Sequence, residues 1–371
     1  MKTYKIFFLL CIITSFSITS CSNDDVTVTI ESFDRNKMDQ LFAAFEEENL
    51  LMGTISIFKG NQEVYTNSTG MTDVENSVPI DAQSKFRIGS VSKSITAVMI
   101  MQLIDENKLA LDTRLSEYYP QIPNSFLIRI SDLLRHRSGL FNYIVAEDYP
   151  EWSSIPQSKE ELLEKIINYG TISQPNIEFS YSNTNYVLLS FIIEDIDGVS
   201  YSEALANRIT NPLGLNNTYN GSELDLSKDV ALPYLFNNGQ WNMVPLTPDS
   251  FSLGDGGIVS TSRDLNVIFS ALFNGSLVSE SSLNEMTTVI DVSGAGIFPD
   301  NNIPGYTAFE HTGGIVTYFA RSIYFMNEDI TITLTSNGID VLNPKLEDFD
   351  LPNAFYKICF GLDYEIPVFI D

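Results

Sequence analysis

Cysteine, histidine and positive charge are the scarce commodities of this chain. Its 371 residues include three cysteines and two histidines. Cys11 lies within an N-terminal leader and Cys21 at its end, so only Cys359 remains in the body. That excludes an intramolecular disulfide there, and it excludes a metal site built from several thiolates. Cys359 lies in an apolar segment, 354–360, and reads as a buried structural thiol. Basic residues number 21 against 48 acidic ones, for a formal net charge of −27. Such a surface repels phosphate backbones and anionic headgroups, which argues against nucleic-acid binding. Charged residues make up only 19% and aromatics 12%, so disorder is a poor description, and 44% hydrophobic residues suffice for a large core. Internal repeats, low-complexity tracts and Pro- or Gly-rich linkers are missing too.

The first residues concern address. Lys2 and Lys5 precede a mostly apolar run, 6–18, which is too short to span a bilayer as a helix and has the layout of a secretory signal. The tetrad Ile18-Thr19-Ser20-Cys21 resembles a bacterial lipoprotein cleavage box, in which the cysteine becomes the lipid-bearing N-terminus. The expectation is a signal peptide over 1–20, lipidation at Cys21 and a polar tether over 21–32. This places the protein in the cell envelope, anchored to a bacterial membrane through the lipid and facing the periplasm or the surface. The alternative is an ordinary signal peptide in which Cys21 is incidental.

In the body, helical periodicity occupies 33–50, 91–106, 159–168, 185–196, 262–272 and 351–362. Strand-like runs at 54–59 and 63–67 flank the turn Gly60-Asn61-Gln62, and a second pair, 318–326 and 330–335, flanks Asn327-Glu328-Asp329, so both read as hairpins. The predicted fold class is α+β: an antiparallel sheet flanked by helices, built from both chain ends, with a mostly helical lobe inserted between them. The expected domain runs over 33–363, with 33–89 and 310–363 as the α/β lobe, 90–309 as the helical lobe, and 364–371 as a tail. A site is expected in the seam.

Three motifs carry chemistry. In Ser90-Val91-Ser92-Lys93 a Ser-x-x-Lys spacing at a helix start puts both side chains on one face, one turn apart. A serine hydroxyl is a weak nucleophile until a base takes its proton, and a lysine amine can be that base. The helix N-terminus and the Ser90 N–H suit a developing oxyanion. Ser56-Ile57-Phe58-Lys59 repeats the spacing, but in an alternating strand positions i and i+3 face opposite ways, so it cannot form the pair. The second motif is Tyr181-Ser182-Asn183, a phenol able to shuttle protons beside an amide able to orient a carbonyl; a core tyrosine is the competing interpretation. The third is His311-Thr312-Gly313-Gly314, where paired glycines permit close approach to the backbone; a plain turn with an incidental histidine competes with it. His136 reads as a structural loop residue. No Gly-x-Ser-x-Gly elbow occurs, which leaves an α/β-hydrolase without support.

In this order the motifs resemble the serine β-lactamase and penicillin-binding protein superfamily, closest to the branch of class C β-lactamases, DD-peptidases, D-aminopeptidases and esterases. Segments 133–140, 181–189, 211–215 and 256–265 share the likeness, which runs from about 35 to 340. The resemblance implies a β-lactamase/transpeptidase-like fold and hydrolysis of an amide or ester through an acyl-enzyme on Ser90. Lys93 and Tyr181 would manage its proton, and Asn183 would position the substrate. The N–H groups of Ser90 and Gly314 would form the oxyanion hole. His311 and Thr312 occupy the place where many relatives carry Lys-Thr-Gly and would face the substrate carboxylate, and Gly313 and Gly314 would bind substrate beside them. No metal and no organic cofactor is implied. The partners expected are a small-molecule or peptide substrate, possible types being D-alanyl-D-alanine carboxypeptidase or D-aminopeptidase, with esterase and β-lactamase as alternatives on the same machinery. A non-catalytic surface binder is the rival from another class. Histidine at 311, where relatives carry lysine, sets one further expectation: a pH dependence near the histidine range that His311→Lys removes.

Overall fold

The computed structural model describes residues 29–221, 230–245, 252–339 and 351–366. The leader, Cys21, most of the tether and the end of the tail lie outside them. Six helices organise the chain: α1 (Arg35–Glu47), α2 (Ser92–Asp105), α3 (Lys159–Tyr169), α4 (Asn183–Asp197), α5 (Ser262–Phe273) and α6 (Leu351–Cys359). Six strands, β1 (Leu51–Lys59), β2 (Gln62–Thr69), β3 (Phe298–Asp300), β4 (Ala308–Ile315), β5 (Tyr318–Phe325) and β6 (Ile330–Ile339), form one antiparallel sheet in the order β3-β4-β5-β6-β1-β2. Both chain ends therefore meet in one sheet, across the pairing of β1 with β6 in which Ile55 faces Leu334 and Ile57 faces Ile332.

Strand periodicity gives that sheet two different buried faces. On one, Ile55, Ile57, Ile323, Ile332 and Leu334 pack with Met38, Leu41, Phe42 and Phe45 of α1 and with Phe355 and Cys359 of α6. Helix α1 offers these four side chains at helical spacing and starts on Asp34, whose carboxylate accepts from the Lys37 N–H at 3.0 Å. Burying each such side chain is worth about 1.5–3 kcal/mol. The opposite face carries Thr54, Ser56, Thr331, Thr333 and Thr335, all buried. Helix α5 covers it with matching polar groups: Ser262 Oγ donates to the Thr54 carbonyl at 2.8 Å, Asn266 Nδ2 to Ser56 Oγ at 3.0 Å, and Ser270 Oγ pairs with Thr331 Oγ1 at 2.9 Å. Each hydroxyl that leaves water here finds a partner, as burial demands.

The second core centres on α2, whose residues from Ser92 to Met101 are all buried. A helix apolar on every side belongs inside, and α2 is enclosed by α4 and by short segments around it. The expected division at 90 and 309 needs correcting in two places. Helix α5 covers one face of the sheet while its Leu265, Ile268 and Phe269 join the second core, and β3 is a strand of that same sheet. The segment holding His311 is a strand edge and not a plain turn: β4 spans Ala308–Ile315 and pairs with β5 throughout.

Candidate active site

The site begins where a short strand, Phe86–Arg87, pairs with Ile258–Ser260. The Ile88 N–H then donates to the Ile258 carbonyl at 3.0 Å, and Gly89 turns the chain at φ +50° into a 3₁₀ turn, Gly89–Val91. A side chain at Gly89 would suffer both the left-handed φ and a Cβ only 2.8 Å from the Gly314 nitrogen. Ser90 sits on this turn, half-buried, immediately ahead of α2.

One turn on, Lys93 is fully buried, yet its Nζ is saturated. It lies 3.0 Å from Ser90 Oγ and 2.7 Å from Asn183 Oδ1, and it also donates to the main-chain carbonyl of Asp255. The Tyr181 and Tyr186 rings lie 5.1 and 5.8 Å from the same nitrogen. The Ser-x-x-Lys spacing thus produces the contact that its position on a helix implies.

Tyr181 and Asn183 flank the start of α4. The ring of Tyr181 stacks on His136 at 4.2 Å between centroids. His136 Nδ1 accepts from the Ser182 N–H at 3.1 Å, and the His136 carbonyl accepts from the Ser180 N–H at 2.8 Å. One histidine, in the left-handed region at φ +55°, therefore fixes the whole tripeptide from beneath. Burial, then the nearby Lys93, hold its imidazole well below the ordinary range, so it stays neutral. Asn183 is clamped by Asn142, whose Oδ1 accepts from the Asn183 N–H at 3.0 Å and from its side chain at 3.2 Å.

Strand β4 passes against the Ser90 turn. Beyond Glu310 it has no strand neighbour on its β3 side among the described residues, since β3 pairs only with Ala308–Glu310. Alternation turns His311 and Gly313 inward and Thr312 and Gly314 outward. A Cβ on Gly313 would stand 2.0 Å from the Ile88 carbonyl oxygen and 2.8 Å from the Ser90 nitrogen, so this glycine is what allows strand and turn to touch. His311 is buried against the edge of Phe298, at 5.2 Å, and its Nδ1–H donates to the Thr312 carbonyl at 2.6 Å while Nε2 has no partner. Burial, reinforced by Lys93, pushes its imidazole down to about 3. The expectation that His311 titrates near 6.5 is overturned, because a ring removed from water beside an ammonium resists a second positive charge. The ring also stands behind the strand and is not part of the cleft wall where a substrate carboxylate would meet it directly.

The groups converge on a cleft of about 170 Å³ lined by Gly89, Ser90, Tyr181, Asn183, Gly314 and Ile315 and closed by Tyr143, Ile144, Tyr149 and Asp255. Several contributors, among them Tyr143, Tyr149, Asn142 and Asp255, were not read from the sequence. Asn142 has no motif, only the tripeptide it clamps. Asp255 stands beside Gly256-Gly257 in a segment recognised only as similar. Among the described residues, no group of three or more His, Cys, Asp or Glu could hold a metal ion, and no helix is long and apolar enough to cross a membrane.

A sequence model of the Beta-lactamase family matches residues 38–344. Penicillin-binding protein 4* of Bacillus subtilis is 26% identical over 360 residues, covering 90% of this chain and 78% of that one. The teichoic acid D-alanine hydrolase of Staphylococcus aureus is 26% identical over 263 residues, 71% of this chain, and the match spans only 64% of its own length. Among solved structures, D-amino acid amidase from Ochrobactrum anthropi SV3, complexed with L-phenylalanine, shares the fold at a TM-score of 0.75 and 23% identity, over 82% of this chain and 92% of that one. The chain belongs to the Beta-lactamase family, within the serine β-lactamase and penicillin-binding protein superfamily, and is a serine hydrolase.

Proposed function

We propose that this protein hydrolyses an amide or ester of a D-amino acid through an acyl-enzyme on Ser90. The observation that carries the reading is the 3.0 Å contact between Ser90 Oγ and the buried Lys93 Nζ, set on a cleft that also holds Tyr181 and Asn183. The proton of Ser90 passes to Lys93 or Tyr181 as Oγ bonds to the carbonyl carbon. The displaced π pair settles on the carbonyl oxygen between the N–H groups of Ser90 and Gly314, and the leaving group departs with the proton; water, giving a proton to the same base, then attacks the acyl carbon, and Ser90 Oγ leaves and takes that proton back. Asn183 orients the acyl group, and the outer edge of β4 at Thr312 to Gly314 receives the remaining substrate backbone.

The neutral imidazole at 311 favours an amide or ester without a free carboxylate over a carboxypeptidase substrate. The names of the amidase and D-alanine hydrolase relatives support the same class. Intact mass spectrometry of the 22–371 fragment with benzylpenicillin, and hydrolysis of D-alanine amide and of D-alanine p-nitrophenyl ester, test this against Ser90→Ala. The reading requires turnover of the amide or ester that the variant loses; equal turnover by the variant refutes it. We further infer that the lipid on Cys21 anchors the protein in the cell envelope, and Cys21→Ser should release it from the membrane fraction.

A further inference from the structure

Asp255 is a buried carboxylate in the cleft wall that the scheme above does not use. Its loop is tied to the catalytic helix at several points. The Asp255 carbonyl accepts from Lys93, the Gly254 carbonyl accepts from Thr96 Oγ1 at 2.8 Å, and the Ile258 N–H donates to Ser92 Oγ at 3.2 Å. The carboxylate itself makes no direct ion pair among the described residues. Tyr143 OH donates to Oδ2 at 2.5 Å, while the Leu253 N–H at 3.1 Å and Ser252 Oγ at 3.4 Å donate to Oδ1. Every contact is one in which the carboxylate accepts, as suits its ionised form.

The groups facing Lys93 are few. Ser90 comes from the preceding turn, Tyr181, Asn183 and Tyr186 from the α4 side, His136 from the loop beneath, His311 from β4 and Asp255 from its loop. Arg135, behind Tyr186, is committed to Glu285 at 2.6 Å. Both imidazoles are neutral. Asp255 remains, a carboxylate whose own main chain touches Nζ, and burial, partly offset by Lys93, raises its carboxyl.

The three partners of Nζ fit two arrangements equally. An ammonium donates to Ser90 Oγ, Asn183 Oδ1 and the Asp255 carbonyl; a neutral amine donates to the last two and accepts from the Ser90 hydroxyl. Hydrogen-bond count does not choose between them, so the choice falls to charge. We propose that Asp255 is a positioning residue whose carboxylate, acting through Lys93, sets the direction of the Lys93–Ser90 hydrogen bond. This rests on Ser90 and Lys93 acting as proposed above. While the ammonium persists, Ser90 Oγ is an acceptor. Acylation by way of Lys93 needs the amine to take the Ser90 proton as the Oγ–carbon bond forms and to return it to the leaving group as that bond breaks.

The test is the pH profile of kcat/KM for p-nitrophenyl acetate, an uncharged ester, in wild type, Asp255→Asn, Asp255→Ser and Asp255→Glu, with thermal melts to show folding. Asp255→Ser is smaller and provides a second uncharged variant should the amide disturb the loop. In both uncharged variants one limb of the profile should move to lower pH by about one unit, while Asp255→Glu keeps the wild-type limbs. A moving acid limb makes Lys93 the base; a moving alkaline limb makes it the ammonium partner of Tyr181. Uniform loss of activity with both limbs in place would mean that Asp255 only packs, and would overturn the proposal. Ser90→Ala separates the two levels: if it is inactive and the limbs stay put, the role of Asp255 alone fails. If it is active, the acyl-serine reading falls and takes the Asp255 proposal with it.

Discussion

Gly313→Ala and Gly314→Ala should have opposite outcomes, although the residues are adjacent and both lie beside the nucleophile. The Cβ added at 313 would sit 2.0 Å from the Ile88 carbonyl oxygen, 2.8 Å from the Ser90 nitrogen and 3.0 Å from the Ile88 carbonyl carbon. All three are main-chain atoms, so no side chain can rotate away, and an ordinary contact demands that the strand and the Ser90 turn part by over ~1 Å. Overpacking of this kind costs about 1–3 kcal/mol. A displacement of that size between the nucleophile and its oxyanion donors costs on the order of 10²-fold in rate. At 314, the nearest atom to an added Cβ is the Tyr318 carbonyl oxygen at 3.9 Å, and the residue has no left-handed φ, so alanine fits without displacement. Differential scanning calorimetry and kcat for an ester substrate would measure both effects. Gly313→Ala should melt several degrees lower and lose most of its kcat, while Gly314→Ala melts with the wild type. If Gly313→Ala is as stable and active as the wild type, or if the two variants melt alike, the close approach of β4 to the Ser90 turn is not what holds the site.

Two further measurements probe burial. His311, neutral in the fold down to about 3 but ordinarily titrating near 6.5, and His136, displaced in the same direction, bind protons more readily when the chain unfolds. Their stabilising contribution is therefore complete above about 6.5 and is lost as pH falls from there toward 3. The melting temperature should drop through that window, and the drop should be smaller in His311→Gln; an equal drop would refute the assignment. Burial raises the Cys359 thiol to about 12, so in the 22–371 fragment a thiol reagent should find no reactive group before unfolding and one after it. Rapid labelling of the folded protein would contradict the packing of α6.

What the sequence made legible follows from range. Ser90 and Lys93 are one helical turn apart, so spacing alone predicts their contact, and the glycines at 313 and 314 announce a close approach without saying to what. The partner, the Ile88–Ser90 backbone, lies more than two hundred residues away and no local pattern names it. The polar face of the sheet shows a second limit. Thr54, Ser56, Thr331, Thr333 and Thr335 alternate with aliphatics in the manner of a strand with one wet face, yet all are buried. Their partners on α5 are Ser262, Asn266 and Ser270, four residues apart, a polar stripe on a helix that would otherwise read as solvent-facing.

Histidine 311 exposes a third limit, and it bears on mechanism. From the sequence, the residue type suggested a switch near neutral pH. In the fold, two histidines and one lysine share a buried neighbourhood with the Asp255 carboxylate, and burial beside Lys93 disfavours a charge on either imidazole. The lysine keeps the hydrogen-bond partners, since three acceptors surround Nζ, whereas His311 Nε2 has none and His136 Nδ1 already accepts from a main-chain N–H. His311 thus turns the lone pair of Nε2 to the interior, while His136 uses that of Nδ1 to accept from Ser182 and carries its proton on Nε2. The site's acid–base behaviour is then left to Lys93, Tyr181 and the carboxylate of Asp255, the three ionisable side chains that flank Ser90. A residue's intrinsic chemistry, read along the chain, identified where the site is; burial and the neighbouring charges, which no local pattern announces, decide that neither imidazole is charged there.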